Sequence, residues 1–427
     1  MTSYASGYPR VYGFFSSLYG QACGRDRLRI RRAVRNAQEK SRGELARRAR
    51  ELFAQRVRHA AEAFPAYRDW LNECGVGRGF DTAPLRPEDV PAWTRDAQRS
   101  LFDRLRHPPV SGSFVHATGG STGAPVRFYV TRASYEWRTA VADRGYAWAG
   151  AEEGQRSFYV WGTPVYAPSR LHRLKQRLHH CLQRRTYFDS FAFGHEDKAH
   201  CCAAIDRARP RSLVGYAGNL VELAQFALEH PSALHWRAKT VITAAEGLQP
   251  GQRELLQEVL ADRVFVSYGS REFMLIGMEC SEQNGLHVAG DNLYVEVADD
   301  DGRPLPPGKL GRILVTDLHN DATPFIRYEI GDLGVLADPD ESCPCGLPFP
   351  RLHCVAGRLQ EAIALPNGDR MTALFLPHLM KEFDWVLGYQ VVQQDRQALT
   401  LHIVSRAELT GAQRRQIELP LRERVGY

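Results

Sequence analysis

Residues 240–272 read TVITAAEGLQPGQRELLQEVLADRVFVSYGSRE. The segment opens on a β-branched, apolar run, TVITA. It continues through a stretch around 250–261 with apolar residues at helical spacing, and closes on a second apolar run, VFVSY. Two strands separated by a helix run parallel, because an antiparallel pair would need only a tight turn between them. The same alternation continues upstream through FYVWG (158–162) and SLVGY (212–216), with helical stretches around 197–208 and 218–230. This pattern predicts a parallel α/β sheet covered by helices. Ligands on such sheets collect beyond the carboxyl ends of the strands. The loops after TVITA and VFVSY are therefore where a site is expected.

Working outward, residues 1–100 read as helical, interrupted at Pro65 and by the loop DTAPLRPEDVP. Between 286 and 335 the pattern turns antiparallel: NLYVEVADDDGRPL and KLGRILVTD form a hairpin around a DDDGR turn. Residues 357–427 read as a small α+β unit. The expected fold is α/β: a large N-terminal domain with a mostly parallel, helix-covered sheet and a β-rich subdomain, then a small C-terminal α+β domain. The expected boundaries are 1–100 for the helical part of the large domain, 101–356 for its main body, and 357–427 for the small domain.

The chain has 427 residues, 44% hydrophobic and 24% charged, which suits a globular protein with more than one core. No apolar run approaches the roughly 18 residues of a membrane span. The first residues, MTSYASGYPRVYGFF, lack the charged and apolar regions of a secretion signal. Nine cysteines, an odd number, do not make a disulfide framework. The expectation is a cytoplasmic protein in a reducing compartment. The net charge of +6 is unevenly spread: residues 1–58 hold 14 Lys/Arg against four Asp/Glu, leaving 41 basic and 45 acidic residues elsewhere. Nucleic acid or an anionic membrane could meet such a segment. Leu45, Ala49, Leu52, Phe53, Val57 and Ala60 recur at helical spacing, however, and call for a protein core. Nucleic-acid recognition motifs are absent, so no nucleic-acid partner is expected.

Residues 116–125, HATGGSTGAP, have the composition of a phosphate-wrapping loop. Gly119, Gly120 and Gly123 allow close backbone approach, and Thr118, Ser121 and Thr122 supply hydroxyl donors. The loop lacks the GKS or GKT ending of a P-loop. Four stretches follow it in order: TAAEGL (243–248), YGSRE (268–272), PFIRYEIGDLG (324–334) and AGR (356–358). Together they resemble the adenylate-forming (AMP-binding, ANL) superfamily, and within it the phenylacetate–CoA ligase-like branch, from about residue 50 to near the end.

The resemblance implies ATP and Mg²⁺ as cofactors and a small carboxylic acid, aromatic or amino-acid-like, as substrate. It implies attack of the acid on the α-phosphorus of ATP, then acyl transfer to coenzyme A; an amine or a carrier-protein phosphopantetheine is the alternative acceptor. Thr118, Ser121, Thr122 and the three glycines match the phosphate loop. Tyr268, in Tyr268-Gly269-Ser270, matches the aromatic residue against adenine. Ala244, Ala245 and Glu246 match the loop at the adenine edge. Glu272 matches the Mg²⁺ ligand, Asp332 the acceptor of both ribose hydroxyls, and Arg358 the hinge-side arginine. Arg327 is assigned either a phosphate or carboxylate partner or a structural ion pair. Aromatic residues over 128–166, including Tyr135, Trp137, Tyr146 and Trp148, are candidates for the acid pocket.

The branch resemblance also implies a structural Zn²⁺ held by Cys280, His287, Cys343 and Cys345, a Cys₃His set suited to tetrahedral coordination. Cys23, Cys74, Cys181, Cys201, Cys202 and Cys354 are then structural. Three features depart from the family. Arg271 stands where threonine is frequent, the hinge reads GRLQE with Gln360 and Glu361, and the terminal Gly-Lys motif has no counterpart before LPLRERVGY. The one lysine after position 309 is Lys381. Either the sequence is truncated there or adenylation proceeds without the lysine of that motif; its lack and Arg271 together keep a non-catalytic nucleotide-binding scaffold open as a second reading. The basic stretch SRLHRLKQRLHHCLQRR (169–185) reads as a solvated helix, or as a site for coenzyme A phosphates or an acidic carrier. The oligomeric state is left open, a dimer included.

Overall fold

The computed structural model describes residues 26–76, 85–105, 108–118, 126–162, 170–190, 193–358, 362–364, 370–372, 379–380, 383, 385–395 and 398–425. Among the described residues four α-helices come first: α1 (Arg27–Ala37), α2 (Arg42–Ala63), α3 (Pro65–Glu73) and α4 (Arg95–Arg104). Ser41 starts α2 with a capping box: its hydroxyl accepts from the Glu44 amide, and the Glu44 carboxylate accepts from the Ser41 amide. Pro65 opens α3 as well as ending α2, since the first helical position needs no N–H donor. Leu45, Ala49, Phe53, Val57 and Ala60 face inward along α2, the stripe their spacing predicts. Basicity and burial thus occupy opposite sides of one helix.

Next come the hairpin β1 (Phe114–Ala117) and β2 (Arg127–Val130), then α5 (Arg132–Trp148), capped by Thr131. The alternating part follows: β3 (Ser157–Trp161), α6 (Arg170–Leu182), β4 (Arg185–Asp189), α7 (His195–Ala208), β5 (Ser212–Tyr216), α8 (Ala217–Glu229), β6 (Ala238–Ala244), α9 (Gln252–Val259) and β7 (Ala261–Ser270). The basic stretch at 169–185 is therefore a helix ending in an edge strand, with Arg184 at a left-handed φ of 54° in the break. The antiparallel part comprises β8 (Met274–Glu279), β9 (Leu286–Val288), β10 (Leu293–Ala298), β11 (Leu310–Asp317), β12 (Tyr328–Leu336) and β13 (Arg351–Arg358).

Among the described residues, eleven of these strands form one sheet in the order β10-β11-β12-β13-β9-β8-β7-β6-β5-β3-β4. Strands β3 to β7 pair in parallel, and everything on the far side of β7 is antiparallel. Strand β7 belongs to both halves. Its first part pairs with β6 up to Val266, and its last part, Ser267 to Ser270, pairs with β8. The YGSRE stretch thus lies where the sheet changes direction. Gly269 is required there, because a Cβ would sit 2.0 Å from the Met274 carbonyl oxygen.

Alternation sorts the parallel strands into two faces. Phe158, Leu213, Val241 and Val264 lie side by side and pack under α7, α8 and α9. Their neighbours Tyr159, Val214, Ile242 and Phe265 face the opposite way, against Ile30 and Val34 of α1 and Ala140 and Val141 of α5. A third core joins α2 and α3 to the antiparallel strands, with Phe53, Tyr67, Ile313, Val315 and Tyr328 fully buried. Each such side chain contributes on the order of 1.5–3 kcal/mol by leaving water. The last elements are β14 (Ala362–Ala364), β15 (Arg370–Thr372), the hairpin β16 (Val386–Asp395) and β17 (Ala398–Ser405), and α10 (Gly411–Val425). Met380, Ile417 and Leu421 form a cluster of their own with Val391, Leu399, Leu401 and Ile403. Among the described residues, no helix is long and apolar enough to cross a membrane.

Candidate active site

Strand β6 ends at buried Ala244, and Ala245 then takes a left-handed φ of 69° that turns the chain away from the sheet. Glu246 follows, and its Oε2 accepts a hydrogen bond from the Gly218 amide at 3.0 Å, in the first turn of α8. A carboxylate at a helix amino terminus meets both an orphan N–H and the positive end of the helix dipole. The loop after β6 is thereby tied to the start of α8.

One strand further along, the Tyr268 hydroxyl donates to Asp332 Oδ2 at 2.8 Å. Three strands stand between β7 and β12 in the sheet order, so the antiparallel half curls back to bring these residues together. Asp332 is buried, and across the β12–β13 ladder its register partner is Arg358. The Arg358 side chain lies outside the described residues, as do Gln360, Glu361 and Lys381. Glu272, just past β7, is buried as well, with its Oε1 accepting from the Tyr328 hydroxyl at 3.3 Å. Burial, then the Glu272 charge, pushes the Tyr328 phenol up, so the hydroxyl keeps its proton to donate. Ser270 Oγ accepts from the Phe273 amide at 3.3 Å and braces the turn.

Strand β1 leads in sequence to the glycine loop, and Val126 follows it. Thr118 closes its neck: its amide donates to the Val126 carbonyl at 3.0 Å, and its hydroxyl accepts from the Val126 amide at 2.9 Å. Gly119, Gly120, Ser121, Thr122 and Gly123 lie outside the described residues. His116, two residues before Thr118, sits below the usual imidazole value. Burial is the main cause, followed by the charges of Arg138 and Arg271. Arg271 of YGSRE is therefore within electrostatic reach of the strand leading into the glycine loop.

Arg327 is a correction to the nucleotide-side assignment. It is fully buried at a φ of 47°, its Nε donates to Glu296 at 3.0 Å, and its other nitrogens donate to the carbonyls of Val90 and Gly302. With its guanidinium engaged inside the core, Arg327 is the structural ion pair. The aromatic candidates also divide. Trp137 stacks on His319 at 3.8 Å, and Trp148 lies against Phe349 while donating to Gln38. Tyr135, half exposed, stays beside Phe114 and His116 of β1. Arg95 was not legible as a site-supporting residue. It donates to the Ile330 carbonyl and lies 3.2 Å from where Gly331 would carry a Cβ, wedging the turn before Asp332 from a helix more than two hundred residues away. No periodicity or motif marks such a contact.

Cys280, His287, Cys343 and Cys345 converge, with their ligand atoms all within 4.8 Å of one another. Cys280 Sγ is 3.7 Å from Cys343 Sγ, and Cys345 Sγ is 3.2 Å from His287 Nε2. A tetrahedral Zn²⁺ with sulfur ligands at about 2.3 Å has S···S edges of about 3.8 Å, so the set fits that ion. The His287 Nδ1 lies 3.4 Å from the Phe349 carbonyl, which fixes Nε2 as the metal-facing nitrogen. Burial pushes His287 down to about 4, so its imidazole is neutral and competent to ligate. The other thiols divide: Cys201 and Cys202 are core residues, whereas Cys74, Cys181 and Cys354 are exposed. Cys23 lies outside the described residues.

No family model matches the sequence. The chain is 27% identical over 355 residues to a phenylacetate–coenzyme A ligase of Thermus thermophilus, covering 79% of this chain and 77% of that protein. It is 26% identical over 295 residues to the phenylacetate–coenzyme A ligase of Escherichia coli, covering 65% of this chain and 64% of the relative. Among solved structures, 2-hydroxyisobutyryl-CoA ligase in an open conformation superposes with a TM-score of 0.68 at 20% identity, over 88% of this chain and 90% of that one. Its postadenylation state gives a TM-score of 0.67, over 86% and 80%. In sequence the chain is similar to phenylacetate–coenzyme A ligases, and its fold is that of adenylate-forming enzymes.

Proposed function

We propose that the protein activates a carboxylic acid with ATP as an acyl-adenylate, releasing pyrophosphate, and transfers the acyl group to coenzyme A. The observation that carries this reading is the meeting of Tyr268 and Asp332 at the sheet's change of direction, with Glu272 buried just past the end of β7 and bonded to Tyr328. In this reading Asp332 accepts from the two ribose hydroxyls, a vicinal diol suited to a two-oxygen acceptor. Tyr268 offers its ring to adenine, Ala244 to Glu246 border the base, and the loop closed by Thr118 wraps the phosphates. Glu272 holds Mg²⁺, a hard cation that takes carboxylate oxygen, and Arg358 reaches the nucleotide from the hinge. The substrate carboxylate attacks the α-phosphorus and pyrophosphate leaves. In the second step a thiol attacks the acyl carbon, its proton goes to solvent and AMP leaves. Neither step requires a general base of a serine-hydrolase kind, so catalysis is alignment and charge neutralisation.

The four-residue Cys/His cluster is a structural Zn²⁺ site in this reading, residues 357–427 form a separate small domain, and the protein works in the cytoplasm. The test is pyrophosphate release by the purified full chain over a panel of aromatic and small carboxylic acids, with coenzyme A added in a second stage. Acid-dependent release, followed by a coenzyme A thioester, is the expected result. Nucleotide binding without acid-dependent release would favour the scaffold reading. Release followed by transfer to an amine or a carrier protein alone would move the second step to that acceptor.

A further inference from the structure

We propose that α6, with the start of α1 beside it, is a docking face for an anionic phospholipid surface. Between Glu153 and Asp189 the chain has no acidic residue, seven Lys/Arg and three histidines. Within α6, leucines stand at 171, 174, 178 and 182, the spacing of a single helix face. In a globular helix that stripe would be buried. Here Leu174, Leu178 and Leu182 are 64%, 61% and 49% exposed. A basic helix with low net hydrophobicity and a leucine stripe open to solvent has the composition of helices that lie in a membrane interface.

The helix is seated on the body, not adrift. The His180 ring lies 4.4 Å from Tyr187, and Arg185 pairs with Asp143 at 3.3 Å. Asp143 also takes Arg31 of α1 at 2.7 Å, and Glu153 takes Arg27 at 3.2 Å as well as Arg31. His179 lies within electrostatic reach of Arg27 and Glu153, so α1 begins beside α6. The acids nearest the face are thus already matched by arginines of the body, and the field left over is positive. The start of α1 adds exposed Leu28 and Arg32. Coenzyme A phosphates would use the cations but leave the leucines without a role. An apolar stripe flanked by cations matches the layering of acyl chains under anionic headgroups, with long basic side chains able to reach outward from an apolar contact.

The inference does not depend on the ligase reading. Its test is co-sedimentation of the full chain with vesicles of equal parts phosphatidylcholine and phosphatidylglycerol, and with phosphatidylcholine alone. The expected result is pelleting with the anionic vesicles only, weakened by salt. The double substitution L174S/L178S should lower the vesicle partition coefficient by about tenfold or more, with the melting temperature and pyrophosphate release unchanged. R177E should lower it too. No pelleting with anionic vesicles at low salt, or equal pelleting of L174S/L178S, would overturn the proposal. So would retention by an acidic carrier protein in place of vesicles, which would make the face a protein-docking surface.

Discussion

Asp332 and Arg327 sit five residues apart in one motif and do opposite things. Asp332 reaches back across the sheet to Tyr268, whereas Arg327 turns inward to Glu296 and two carbonyl groups. On the proposed function, substituting them separates recognition from stability. Asp332→Ala should raise the KM for ATP by about 10- to 100-fold, the worth of one or two charge-assisted hydrogen bonds, with little change in melting temperature. Arg327→Met strands Glu296, whose carboxyl burial already pushes up, and should cost on the order of 3–5 kcal/mol in urea unfolding. The ATP KM of the Arg327→Met protein that stays folded should be unchanged. A raised KM there, with stability intact, would return Arg327 to the nucleotide site.

At the scale of elements, the Cys/His cluster links pieces distant in sequence: Cys280 follows β8, His287 is on β9, and Cys343 and Cys345 lie on the loop before β13. A four-ligand ion there would clamp that loop to two strands, a constraint the short β9 ladder of Leu286 and His287 against Leu352 and Arg351 supplies weakly by itself. Protein purified without added zinc should carry about one zinc per chain, and Cys343→Ser/Cys345→Ser should carry none and melt lower. Equal zinc in both preparations would end the metal assignment. The family resemblance pointed to these four residues in the sequence, and the fold brings them together. The Arg31–Asp143–Arg185 network was not readable in the sequence, because any charged pair brought together by folding would serve.

Among the described residues, three large cores lie along one sheet, a small cluster of Ala37, Leu45 and Phe349 joins α1 and α2 to the loop before β13, and another belongs to the C-terminal strands and α10. The C-terminal cluster shares no residue with the others, so a chain ending after Arg358 should still unfold cooperatively, within a few degrees of the full chain. Its thioester formation should be lost if the small domain completes the second step. A truncated chain that fails to fold would show that residues beyond 358 stabilise the main body.

The strand–helix alternation, the buried stripe of α2 and the order of the motifs were determined by sequence alone, because each rests on local periodicity or on residue chemistry over a short span. The Leu45-to-Ala60 spacing names a buried face without saying what covers it. Folding decided that β7 would serve two half-sheets, that Tyr268 would meet Asp332, that Arg327 would be buried and that α6 would leave its leucines outside. These outcomes depend on contacts between residues far apart in the chain. Such contacts are selected by how whole faces pack and carry no periodic signature.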